Sequence, residues 1–487
     1  MRPTDRFGAR GGDVSRAWLR FDDAAAAGHR SGRVSVLRVS LPIAHFNVPP
    51  RVAAISRWVP GVLLAVWVLT LPLEFTKLYF PSQAIELSRI VLILCLLTFV
   101  AQIVIERREV RVPASASMFG LALFIAYAAV SAAAVGSHQG EKTVLGMVAY
   151  LLMMLTVFNW TQTPAEHRRI WSALAISAVV LAGVGLVLHV TNSYIWNAPD
   201  IGIRRVNATF HDPNIYARFL AFAMLTMVVL AADLDGTVRH RALWIAGALA
   251  AAMVLPFTYS RATWGLTLVV ALVVIALARR RKRALALLGL VAAVFAAVAI
   301  IDPSVFSRAS VLAANLQSPF FNSRPVVERA PWLRFLDLLP LDSVRRYLIS
   351  AGLIIFADHP IFGVGFGNFS QSLAGPYASL VPSGYDTTAS HTSLITILAE
   401  TGLVGLGIVL LTGLIFVKST VRAAFQSPLQ RTLVLVPVVA LLVIVLESQF
   451  SGRLFDEPYL WLFLGLAYSA LAGLKDDPRY VSESRSR

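Results

Sequence analysis

An all-α, polytopic membrane protein is the fold class this sequence predicts, and three observations predict it. Hydrophobic residues make up 57% of the 487 and charged residues only 14%, with a mean hydropathy of +0.69, whereas soluble domains carry roughly 25% charged residues. Apolar stretches of about 17–25 residues recur along the chain, each long enough to cross roughly 30 Å of hydrocarbon. Basic residues collect in every second connection between those stretches.

The first 57 residues hold ten Arg and four Asp among Gly, Ala and Ser, with no apolar run long enough to span. That composition reads as a disordered, basic cytoplasmic tail, ahead of an organelle transit peptide, which the Asp residues and the many following spans disfavour. The apolar runs fall near 58–75, 86–104, 115–135, 142–160, 170–191, 215–232, 243–259, 262–278, 284–301, 393–417, 432–450 and 458–474. They predict about twelve transmembrane helices in one membrane domain, 58–474, followed by a cytoplasmic tail at 475–487.

Connections rich in arginine alternate with connections that are not. Glu106-Arg107-Arg108, His167-Arg168-Arg169, Arg239-His240-Arg241, Arg279 to Arg283, and Lys418 with Arg422 and Arg431 fall in alternate loops. By the positive-inside rule these are cytoplasmic, together with both termini. The same distribution explains the net charge of +16 as topology, so no nucleic acid partner is expected. The single cysteine, Cys95, lies in an apolar run and allows no internal disulfide.

The remaining loops face outward and hold the unusual features. One contains Arg204 and Arg205 in a segment running to Asn214, a second contains Ser260-Arg261, and a third is the long segment of about 302–391. A connection of that length is normally functional. Within it, 330–339 has apolar residues at helical spacing and is expected to lie flat on the membrane surface, and 343–358 is expected to form a helix opening with Arg345 and Arg346. Ionisable groups at the edges of spanning helices are costly unless they face water or a ligand, so each arginine is a functional candidate.

The glycine-rich run Gly363-Val364-Gly365-Phe366-Gly367 lacks the strand before and helix after that a dinucleotide site needs, so it is read as a tight backbone close to other helices or a ligand. His391 stands where the long loop enters the tenth helix, either as an interfacial polar residue or as a functional one. Glu400 follows nine residues later, about 13 Å along a helix. It is thus placed inside the bilayer, where an arginine from another helix end is its expected partner. No Cys/His cluster, His-x-x-x-His pair or Gly-x-Ser-x-Gly elbow is present, so no metal and no serine nucleophile is expected.

Taken in order, Arg205-x-x-x-Thr209-Phe210-x-x-Pro213-Asn214, Ser260-Arg261, Arg345 through His359-Pro360 to Asn368-Phe369, and His391 with Leu394, Glu400 and Gly402 resemble the O-antigen ligase and O-antigen polymerase family of bacterial envelopes. The resemblance covers roughly residues 58–474. Family members often have Gly where this chain has Ala208, Asn where it has Thr392 and Trp where it has Ile349.

The resemblance implies a glycosyltransferase of the bacterial inner membrane. It would move a glycan from a polyprenyl-pyrophosphate-linked donor to an acceptor hydroxyl on the outer face, inverting the anomeric carbon, without a cofactor or an obligatory metal. It further implies that Arg261 and Arg345, or its neighbour Arg346, hold the pyrophosphate with Arg205 at the rim. Asn214 and Glu400 join as substrate-binding residues, and His391 is implied as the general base. Membrane lipids surround the chain, and the acceptor is lipid A core in a ligase or another carrier-linked glycan in a polymerase. A secondary transporter of an anionic solute is the reading from a different class. Such a protein would need Gly/Pro-interrupted helices near mid-membrane and no long outer loop.

Overall fold

The computed structural model describes residues 19–21, 34–39, 50–74, 77–80, 83–193, 197–198, 203–234, 237–306, 330–338, 343–381, 391–425, 428–452 and 454–473. The chain is an all-α, polytopic membrane protein, with apolar helices at each of the twelve positions read from the sequence. They are α1 (Pro50–Thr70), α2 (Leu87–Ile105), α3 (Ala116–Val135), α4 (His138–Trp160), α5 (Pro164–Val190), α6 (Pro213–Asp233), α7 (Val238–Val254), α8 (Arg261–Leu277) and α9 (Arg281–Ile301). After α10 (Ser343–Asp358) and the short α11 (Phe369–Ala374) come α12 (Ser393–Ala424), α13 (Pro428–Ser451) and α14 (Pro458–Ala472). Among the described residues nine helices are long and apolar enough to cross a membrane, and Trp58–Thr70, α8 and α14 are shorter apolar helices.

Local chemistry sets many of the ends. Thr163 and Glu166 form a reciprocal capping box at the start of α5. Asp212 caps α6 through Asn214 N–H, ahead of Pro213 in the first turn. Gly136, at φ +63°, ends α3 in the left-handed conformation, and Ser137 at once caps α4.

Helix α6 is the post of the bundle. Its whole apolar window is buried, and it packs against α5, α7, α8, α9 and α13. An aromatic cluster of Phe219, Phe222, Tyr459, Phe463 and Trp171 fastens it to α14 and α5. Large apolar side chains on the outside of the bundle, such as Leu97, Val130, Leu272, Ile300 and Leu414, are exposed, as expected for surfaces that meet lipid.

At the basic end, Asp233 accepts the backbone N–H groups of Arg279 and Arg280 at 2.7 and 2.8 Å. Strand β2 (Ser35–Val39) pairs antiparallel with β1 (Leu19–Phe21) on one side and with β5 (Val110–Ala114) on the other, and Val34 N–H bonds to Leu471 O. Residues 19–21 and 35–39 lie in the segment expected to be a disordered tail, and there the chain is instead ordered by pairing with the loop after α2. Val34 and Val36, two residues apart and so on one face, are buried, while the rest of Ser35–Val39 is half-exposed. Two short hairpins, β3–β4 (Lys77–Phe80 with Gln83–Glu86) and β6–β7 (Asn197–Ala198 with Ile203–Arg204), stand at the opposite end.

That opposite end also carries the long segment, and its described part builds a small core of its own. Leu333, Leu336, Tyr347, Ile354, Phe369, Leu373, Tyr377 and Leu380 pack together with Ala399 of α12. The stretch 331–338 is a 3₁₀ segment and not an α-helix: Leu333 and Leu336 are buried in this core while Trp332 and Phe335 are exposed. Its apolar residues divide between protein and surroundings because α10 is close enough to take half of them. The helix expected at 343–358 is α10, with the same bounds.

Candidate functional site

Two of the charged sites stand where helix electrostatics disfavour them. Arg261 is the first residue of α8, and Arg345 and Arg346 lie in the first turn of α10. A cation at a helix N-terminus opposes the macrodipole, so a reason other than helix stability is needed for it.

Ser260 points the same way. A serine before a helix normally caps it, yet Ser260 makes no capping bond. Its hydroxyl donates to Asn214 Oδ1 at 2.9 Å and lies 2.8 Å from Thr263 Oγ1. Asn214 Oδ1 also accepts from Arg205 Nη2 at 2.7 Å, and Arg205 Nε donates to Thr258 O at 2.8 Å. Thr263 Oγ1 in turn donates to Glu447 Oε1 at 2.8 Å. A continuous polar chain therefore runs from Arg205 through Asn214, Ser260 and Thr263 to Glu447, joining the loop before α6, the α7–α8 junction and the end of α13.

The last turn of α13 holds the other elements. Arg345 Nη2 donates to Phe450 O at 3.2 Å, with its guanidinium 5.8 Å from the Phe450 ring centre. Ser393 Oγ donates to Ser448 O, and Leu394 N–H to Gln449 Oε1, both at 3.1 Å. The first residues of α12, and so His391 just ahead of them, are tied to the same turn. Arg261 and Arg345 are half-buried and His391 is exposed, whereas Arg346 is buried. Arg205, expected at a rim, is only 4% exposed, and its bonds to Thr258 and Asn214 make it a brace beneath the junction. Asn214, expected to bind substrate, spends its carbonyl on Arg205 and Ser260.

Glu400 has a different partner from the arginine expected. It is 6% exposed, and its carboxylate accepts Gly367 N–H at 2.9 Å and Phe369 N–H at 3.1 Å. The cause is a break in α12 at Gly402, which has φ +62° and ψ −160°. The break disrupts the helical bonding of the backbone around it, and residues 360–365 supply replacements. Val364 and Gly365 donate to Ala399 O and Glu400 O, while Leu403 and Val404 donate to Pro360 O and Ile361 O. Backbone groups deep in a membrane protein must be satisfied internally, and here a loop replaces a helical turn. Glycines make the approach possible: a Cβ on Gly363 would lie 2.3 Å from the Glu400 carbonyl carbon, and one on Gly402 2.3 Å from Ile361 O. The glycine-rich run is thus a bracket across a broken helix, in line with the tight-backbone reading.

Three features escaped the sequence reading. Arg218 in α6, 1% exposed, pairs with Glu457 at 2.5 Å, and Glu447 is equally buried. Arg218 and Glu447 sit inside apolar runs, where a single charge is lost in the hydropathy. The third is Ala208, whose φ of +46° lies in the left-handed region that favours glycine. That accounts for the glycine the resembling family often has there. Among the described residues no group of three or more His, Cys, Asp and Glu side chains comes together as a metal site.

Fold and site together define a polytopic membrane protein whose arginines, histidine and buried carboxylates converge at one end of the bundle. Residues 246–410 match the family model described as O-antigen ligase, a stretch running from α7 into α12 that contains Ser260–Arg261, α10, the glycine bracket, His391 and Glu400. The match supports the O-antigen ligase and polymerase family, and with it glycan transfer of that general type by a membrane enzyme. No curated protein sequence matches the chain.

Proposed function

We propose that this protein transfers a glycan from a polyprenyl pyrophosphate carrier to an acceptor hydroxyl, at the end of the bundle that carries the long segment. We further propose that this end faces outward from a bacterial inner membrane. The basic loops gather at the opposite end, as the positive-inside rule requires of the cytoplasmic side. The observation that carries the reading is the convergence of Arg205, Asn214, Ser260–Arg261, Arg345 and the helix start behind His391 on the last turn of α13.

In the reaction the bond between the anomeric carbon and the pyrophosphate oxygen breaks, and its electron pair leaves on that oxygen. The acceptor oxygen bonds to the anomeric carbon from the opposite face, which inverts it, and the hydroxyl proton passes to His391. Arg261 and Arg345 offset the charge that develops on the leaving pyrophosphate through paired, charge-assisted hydrogen bonds. Arg346 points into the buried side of α10, so Arg345 is the residue assigned to the anion. The near-neutral unperturbed pKa of histidine suits a base working at physiological pH.

The test is transfer by the purified protein from a polyprenyl-pyrophosphate glycan to lipid A core, or to a second carrier-linked glycan, each acceptor supplied separately. The acceptor used distinguishes ligase from polymerase. Arg261→Lys and Arg345→Lys keep the charge and lose the fork, and are expected to slow transfer about 10²–10³-fold, the typical effect of losing a stabilising donor. His391→Ala and His391→Gln are expected to lose about 10²–10⁴-fold. Near-normal transfer by the lysine variants refutes the pyrophosphate assignment, and uptake of an anionic solute without transfer would move the protein to the transporters.

A further inference from the structure

Glu447 is a costly side chain to bury. It is 1% exposed, and only one of its oxygens is bonded: Oε1 accepts from Thr263, while Oε2 accepts no hydrogen bond among the described residues. An unsatisfied buried acceptor costs about 1–3 kcal/mol, more when charged, so apolar surroundings alone would favour leucine here. Arg345 reaches the same helix turn through Phe450 O, three residues further along α13.

We propose that Glu447 is a built-in counter-charge that weakens the grip of the arginine site on pyrophosphate and so lets the spent carrier leave. The inference rests on the pyrophosphate reading above. When the glycan departs, the electron pair of the broken bond stays on the carrier's terminal phosphate. The product pyrophosphate then carries one negative charge more than the donor diester. A site of arginines alone binds the product more tightly than the donor and stalls. A fixed carboxylate opposes both and opposes the product more, because repulsion scales with ligand charge. Glu447 also ties the Ser260–Arg261 junction to the turn that holds Arg345, so it positions the arginines as well as offsetting them.

Two variants separate charge from brace. Glu447→Gln removes the charge and keeps an oxygen for Thr263, whereas Thr263→Val cuts the tie and keeps the charge. Inorganic pyrophosphate binding to the purified full chain in detergent is the readout. Glu447→Gln is expected to bind about tenfold tighter, the scale of one unit charge at roughly 10 Å with an effective dielectric near 20, and to run slower in steady state than in a single turnover. Thr263→Val is expected to bind more weakly. Weaker or unchanged binding in Glu447→Gln overturns the counter-charge. A wild-type inhibition experiment needs no folded variant: polyprenyl pyrophosphate that inhibits far below the donor KM also overturns it. Absence of pyrophosphate binding and of transfer in the wild type instead removes the pyrophosphate reading on which the inference stands.

Discussion

Replacing Glu400 by Ala removes the carboxylate that holds two backbone amides of the glycine bracket, Gly367 N–H and Phe369 N–H. Each amide left without its acceptor costs about 1–3 kcal/mol. Every 1.4 kcal/mol is about tenfold in a local opening equilibrium. Exchange of those two amides should therefore accelerate by roughly 5- to 150-fold each, if they open independently. Glu400→Gln retains one acceptor oxygen and turns an NH₂ toward the second amide, so one amide stays protected. Hydrogen–deuterium exchange read on peptides across 360–370, with peptides from the buried α6 as an internal reference, measures this directly. Unchanged exchange at 367–369 in Glu400→Ala would refute the bracket as an anchored structure. Equal acceleration in α6 would show that the whole bundle had loosened and that Glu400 acts globally.

Two backbone substitutions should behave oppositely. Gly402→Ala meets both a glycine-only backbone conformation and Ile361 O and is expected to lower thermal stability in detergent by more than the ~1–3 kcal/mol of the conformation alone, whereas Ala208→Gly relieves a strained φ and should be neutral or slightly stabilising in the same melt. Arg218→Met leaves Glu457 buried with its ion-pair partner gone and should cost about 3–5 kcal/mol; the double variant Arg218→Met/Glu457→Leu should recover much of that loss, and additive losses in a double-mutant cycle would deny the coupling. Asp302, beyond the end of α9, is held below the usual carboxylate range chiefly by the Ser304 hydroxyl, against partial burial. Its contribution is therefore present above the ordinary value of 3.8 and lost as pH falls through the lower folded value, so melting of wild type and Asp302→Asn should differ near neutrality and converge in strong acid.

The helices were legible because lipid imposes length and hydropathy on each span, and the alternation of basic loops ordered them. The arginines at helix starts were legible for the related reason that a charge at such a place stands out. Glu400 was visible but its partner was not, since its donors are amides of a loop more than thirty residues earlier, and backbone donors carry no residue signature. Arg218 and Glu447 were hidden by their neighbours, for one charge among twenty apolar residues barely lowers a window average. The pairing of Ser35–Val39 with Val110–Ala114 joins segments separated by two helices, a long-range relation that five residues cannot announce.

The Arg218–Glu457 pair has a consequence for how the chain is made. Arg218 enters the membrane with α6, whereas Glu457 leads in α14, synthesised more than two hundred residues later. Through most of translation the central post carries a guanidinium whose buried counter-ion does not yet exist, at a position that lipid does not tolerate well. Its early neighbours, or the insertion machinery itself, must shelter it until α14 arrives. Chains truncated before α14 should therefore be prime substrates for membrane quality control, so that copies carrying the counter-ion persist.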